Sequence, residues 1–164
     1  MPKKIADRKS PTGLSRMLYR LPVWFFRVHL GWLLGSHFLL LNHTGRKSGR
    51  LRQAVLEIIR YDKASDTYFV VAGWGEKSDW FRNVQETPSV TIQVRSRHLN
   101  AVAGWLLPDE AGEEILNYAR RFPALTRFLV RVAGYRVDGT DADYRALGRI
   151  FPVVTFAVLP CPNE

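Results

Sequence analysis

The chain has 164 residues, 46% of them hydrophobic and 24% charged. That composition suits one globular domain and excludes a disordered or fibrous protein. Its formal charge of +9 is unevenly placed: residues 1–52 hold eleven Lys or Arg against one acid, Asp7, and the remaining residues are nearly balanced, with thirteen basic and fourteen acidic groups. A groove tracking a nucleic-acid backbone is expected to spread a basic stripe over the fold, so the asymmetry disfavours nucleic acid and favours a local anion site or a membrane surface.

The single cysteine, Cys161, cannot form an intrachain disulfide or a Cys-based zinc cluster, and reads as a cytosolic, reducing context. His29, His37, His43 and His98 are not spaced as HxxxH or HExxH, so no metal is expected. The basic start at Lys3 and Lys4 leads into polar residues and not into an apolar run, so no secretory signal is expected. Arg27, Gly31, Gly35 and His37 interrupt the apolar stretch Leu21–Leu41, which makes it a poor spanning helix.

In chain order, residues 1–12 form a basic tail, poorly ordered alone, and Leu14–Leu34 has an amphipathic helical pattern broken or restarted at Pro22. Residues 1–35 thus separate from a folded unit over residues 36–164. Strands are predicted at His37–Asn42, Ala54–Ile59, Thr67–Ala72, Val90–Val94, Ala101–Leu107 and Val153–Leu159, with a hairpin turn over Arg95–Asn100. A short helix is predicted over Asp79–Gln85, stopped by Pro88. A longer one runs over Asp109–Arg131, opened by acids and split at Pro123. Six strands in meander-like order with a few helices point to an antiparallel β-barrel of the α+β class.

The densest chemical signal is Thr44-Gly-Arg-Lys-Ser-Gly-Arg-Leu-Arg52 between two strands. Its glycines allow a tight turn, and Arg46, Lys47, Arg50 and Arg52 surround that turn with cations suited to a phosphate or carboxylate tail. Alone, it reads more readily as a solvated basic turn, so a second feature has to support a ligand site. A second signal follows in Ala72-Gly-Trp-Gly75 and Ser78-Asp-Trp-Phe-Arg-Asn-Val84. Small residues at a strand end let a flat ring approach the backbone, and a helix start offers free amides. Against this, Trp80 and Phe81 also read as core, and Arg82 and Asn83 as a solvated face with a cap.

The joint order of these motifs, followed by Pro88-Ser-Val-Thr-Ile-Gln-Val94, resembles the deazaflavin-dependent nitroreductase family over roughly residues 36–107 and again over Phe151–Pro160. The resemblance implies a split β-barrel with an N-terminal helix and flanking helices. It further implies hydride transfer from reduced deazaflavin coenzyme F(420) to a quinone, nitroaromatic or similar organic acceptor. Flavin mononucleotide (FMN) on the same barrel, or a non-catalytic cofactor-binding protein, are the alternatives.

Carried over by position, Arg46, Lys47 and Ser48 contact the phosphate and oligoglutamyl tail. Arg52, Gln53, Ala54, Val55, Leu56 and Glu57 run beside the cofactor. Val71, Ala72, Gly73, Trp74 and Gly75 lie along the ring, and Asp79, Trp80, Phe81, Arg82 and Asn83 close the site. Trp74 stands where related nitroreductases carry a small hydroxyl residue, and Leu51 replaces a frequent proline. No catalytic residue is assigned; the acceptor's proton comes from solvent, Tyr135 or Tyr144, the tyrosines otherwise being packing residues. The resemblance also implies a homodimer. The basic N-terminal helix either packs on the barrel or at a subunit interface, or lies against the inner face of a membrane in an otherwise cytoplasmic protein.

Overall fold

The computed structural model describes residues 1–6 and 36–160. The expected helix over Leu14–Leu34 and the cysteine at 161 lie outside the described residues. Eight strands are described, namely β1 (Lys3–Lys4), β2 (Phe38–Thr44), β3 (Leu51–Asp62), β4 (Thr67–Val71), β5 (Ser89–Val94), β6 (Arg97–Trp105), β7 (Tyr135–Arg136) and β8 (Val153–Val158). Four α-helices accompany them: α1 (Asp79–Glu86), α2 (Pro108–Arg121), α3 (Pro123–Val132) and α4 (Asp141–Ala146). As expected, the split between α2 and α3 falls at Pro123, which has no N–H to continue a helix.

Six strands close into an antiparallel barrel in the order β2-β3-β4-β8-β6-β5. This bears out the α+β barrel and corrects the meander. The chain's final strand inserts between β4 and β6, and β2 reaches β5 through Leu39↔Val94 to Asn42↔Thr91. Alternation identifies strands, but it carries no information about which distant strand supplies the partner. The β5–β6 turn is also shorter than expected. Val94 pairs with Arg97, so only Arg95 and Ser96 turn, with Arg95 in the left-handed region at φ 55°, and Arg97–Asn100 belong to β6.

Alternation places Leu39, Leu41, Leu56, Ile58, Val70, Ile92, Val154 and Phe156 inside the barrel, most of them fully buried. Each such side chain contributes roughly 1.5–3 kcal/mol of transfer free energy. Phe81 and Val84 of α1 close one end of this core. A second cluster, including Ile59, Phe69, Ile115, Leu116, Leu147 and Val153, packs α2 and α4 on the outer flank. The first residues are tied down as well. Lys3–Lys4 pair with Tyr135–Arg136, and the Ile5 amide donates to the Gly134 carbonyl at 2.8 Å.

Candidate functional site

The β2–β3 connection is a built turn. The Gly45 amide donates to the Arg50 carbonyl at 2.8 Å, and the Ser48 and Gly49 amides both return to the Gly45 carbonyl at 3.1 and 2.8 Å. Gly49 sits at φ +64°, a conformation other residues rarely adopt. Arg46, expected to reach a ligand, turns inward instead. Its backbone amide and Nη1 donate to Asn83 Oδ1 at 3.1 and 2.9 Å, Nη1 also to the Asp79 carbonyl at 3.3 Å, and Nη2 pairs with Asp79 Oδ1 at 3.0 Å. The guanidinium therefore fastens the turn to α1. Because the Asp79 side chain is 67% exposed, that ion pair adds little, and the bonds to buried Asn83 carry the clamp.

Asn83 extends the clamp to β2, where its Nδ2 lies 3.1 Å from His43 Nδ1. With Asn83 Oδ1 accepting from Arg46, Nδ2 is the donor and His43 Nδ1 accepts, so the imidazole is neutral. Burial, and secondarily the Arg52 cation across the β2–β3 ladder, lowers the His43 pKa from 6.5 to about 4. His43 is a member of this network that sequence reasoning missed, because nothing local connects it to a residue forty positions later.

With Arg46 committed, Lys47, Arg50 and Arg52 are the cations this turn presents to solvent, beside exposed Ser48. None of the three has an acidic partner among the described residues. Along β3, cross-strand pairing puts Arg52, Ala54 and Leu56 on the inner face with His43, Leu41 and Leu39, and therefore Gln53, Val55 and Glu57 on the outer one. Gln53 donates to Asn42 at 2.8 Å, while Glu57 accepts from Tyr118 of α2. The six consecutive residues from Arg52 to Glu57 thus divide between two faces.

The third group meets at the barrel mouth. Ala72 is buried, its amide bonded to the Pro152 carbonyl at 2.9 Å, and Gly75 turns the chain into α1. A Cβ built on Gly73 meets no atom within 4 Å, so its backbone faces open space that a flat ring could approach. Val70, Val154 and Trp105 lie in one cross-strand row, which brings Trp105 to the same mouth; it is 50% exposed and edge-on to Phe81 at 6.3 Å. Trp80 in turn lies edge-on to Phe81 at 6.2 Å. Ser78 is buried, and its hydroxyl has no hydrogen-bond partner among the described residues. Arg82 donates to the Glu76 carbonyl at 2.8 Å, closing the turn before α1.

The two tyrosines considered as proton donors belong to the flank. Tyr135 packs edge-on against Phe151, and the Tyr144 hydroxyl is sealed within the α2 cluster. A groove of about 370 Å³ runs between the ends of β2–β3 and β5–β6, with Asn42, Thr44, Thr91 and Asn100 on its walls. It adjoins the cationic turn, and none of the expected site residues lines it.

A family model described as F420H(2)-dependent quinone reductase matches residues 19–128, from before the barrel into α3. The chain belongs to that family. No curated protein matches it. Among solved structures it is similar to the F420-H2 dependent reductase FDR-A, with 23% identity over 73% of this chain and 93% of that one and a TM-score of 0.50. It is also similar to conserved hypothetical protein Rv2991 from Mycobacterium tuberculosis (11%, 82% and 80%, TM-score 0.53). A third is HutZ, the heme storage protein from Vibrio cholerae (15%, 77% and 84%, TM-score 0.51). These identities show a shared fold.

As a member of the F420H(2)-dependent quinone reductase family the chain is an oxidoreductase that transfers hydride to a quinone, and coenzyme F(420) is its cofactor; the FMN alternative is not needed. Exposed cations with no acidic partner among the described residues, for a polyanionic tail, and an open glycine, for a planar ring, are chemically suited to that group. Among the described residues no helix is long and apolar enough to cross a membrane.

Proposed function

We propose that Lys47, Arg50 and Arg52, with the Ser48 hydroxyl, hold the phosphate and oligoglutamyl tail of coenzyme F(420), while Val71–Gly75 lie along its ring. Arg46 and Asn83 act by holding the turn in place, a change from their expected role as direct contacts. The observation that carries this reading is the pairing of a clamped turn bearing exposed cations with an open glycine, both joined to α1. When bound, the reduced deazaflavin supplies the hydride.

The protein's part is then binding, orientation and exclusion of water. Trp74, Trp80, Phe81 and Trp105 supply apolar walls at the mouth. Solvent supplies the acceptor's proton, since the flank tyrosines are occupied in packing. Nitroaromatics are further acceptors by the same chemistry. The remaining parts of the proposal are pairing of two copies, a division of the chain near residue 36, and contact of the basic residues before it with the inner face of the cell membrane.

Tryptophan-fluorescence titration with oxidised and reduced coenzyme F(420), and with FMN, tests the assignment. Lys47→Ala and Arg50→Ala should each weaken F(420) binding about fivefold at low salt, with the difference shrinking as salt rises. Unchanged affinity in both variants would remove the turn from the cofactor site.

A further inference from the structure

Averaging charge over the second part of the chain hides another basic run. Between Glu114 and Asp138 lie Arg120, Arg121, Arg127, Arg131 and Arg136 and no acid. Arg120 pairs with Asp141 and Arg121 donates to the Ile59 carbonyl, but Arg127, Arg131 and Arg136 are exposed and have no acidic partner among the described residues. On α3, Thr126 and Val130 face the protein. Leu125, Phe128 and Leu129 share another sector with Phe122, and these four are 40%, 62%, 38% and 42% exposed. Helical spacing puts Arg127 and Arg131 together on the remaining side. Four large apolar side chains grouped on one helix face form a patch that water disfavours.

We infer that this face of α3 rests on an anionic lipid surface, with Leu125, Phe128 and Leu129 entering the headgroup boundary and Arg127 and Arg131 lying against lipid phosphates. A helix with Phe and Leu on one sector and Arg on the next has the pattern of an interfacial helix. Charge argues against the other occupants. A second copy across a two-fold axis would set this basic run near its own duplicate. The chain's own residues 7–35 carry Arg8, Lys9, Arg16, Arg20 and Arg27 against Asp7 alone, and would be repelled likewise. Quinones are apolar and partition into bilayers, so a reductase seated there meets its acceptor at raised local concentration. The surface is separate from the cationic turn, so this inference stands or falls independently of the cofactor assignment.

Flotation of the full chain with phosphatidylcholine vesicles, and with equimolar phosphatidylcholine and phosphatidylglycerol, tests it at low and high salt. Binding should require the anionic lipid. Leu125→Ser with Phe128→Ser, or Arg127→Gln with Arg131→Gln, should each lower partitioning about tenfold or more, the arginine pair also flattening the salt dependence. Urea midpoints and F(420) affinity near those of the unaltered protein show that each variant is folded. Three results would overturn the inference: no vesicle binding, as expected of an acidic protein partner; unchanged binding in both variants, which places the contact at residues 7–35; or self-association abolished by Phe128→Ser, which makes the face a dimer contact.

Discussion

At the barrel mouth, buried Asn83 and His43 belong to a polar chain that continues through Arg46 to Asp79 in solvent, beside three cations with no acidic partner among the described residues. On the α2 flank, Tyr118 donates to Glu57, Arg60 pairs with Glu114, and the packing around them is apolar, including Ile59, Ile115 and Leu116. Both regions bury polar groups beside a β-strand. At the mouth the buried groups position a surface that carries charge; on the flank they complete a contact between helix and barrel. A polar side chain's identity is therefore a poor guide to its role, and the partner that satisfies it is a good one.

The comparison is open to attack from the flank first. A Cβ on Gly148 would sit 2.2 Å from the Pro108 carbonyl oxygen and 2.3 Å from the Gly112 nitrogen, both backbone atoms. Gly148→Ala should therefore cost about 3 kcal/mol in urea unfolding, while cofactor affinity of the folded fraction stays within about twofold. A collapse in that affinity would show that the flank reaches the mouth.

The next effect belongs to the mouth. His43 binds its proton only near pH 4 when folded, against 6.5 when unfolded. Its contribution to stability should be complete above about pH 6.5, fall as the pH drops, and level off near pH 4. The loss should reach as much as about 3 kcal/mol, measured by urea titrations across that window. His43→Gln should flatten the dependence over this interval.

Smaller still, Tyr118→Phe removes the donor to Glu57 and should cost about 1–2 kcal/mol with no change in F(420) affinity. A drop in affinity would return Glu57 to the cofactor's path. The smallest effect separates positioning from binding at Arg46. Arg46→Lys keeps the charge but loses the fork to Asn83 and Asp79, and should weaken F(420) about threefold without altering the salt dependence.

Much of the fold was legible, because alternation along Leu39, Leu41 and Val90, Ile92, Val94 is a local property, and Pro123 interrupts a helix wherever it stands. Strand order was not, since β8 pairs with β4 and β6 through residues as far apart as Thr67 and Ala157, and no local pattern connects them. The site shows the same division. The cationic turn and the small residues at the end of β4 were visible as types at a spacing. The direction of Arg46 was not, because Asn83, which captures it, lies 37 positions away. Nor does net charge over a long segment reveal a local arginine run whose balancing acids lie elsewhere.

The position of β8 bears on how the chain reaches this state. β4 and β6 both precede α2 and α3, but each keeps one unpaired edge until Val153–Val158, beyond those helices, arrives between them. During synthesis those edges stay open to strands of other nascent chains, and the barrel closes only after Val153–Val158 has left the ribosome. Closure at so large a sequence separation favours slow folding. Ending the chain before Val153 would leave a sticky, incomplete sheet.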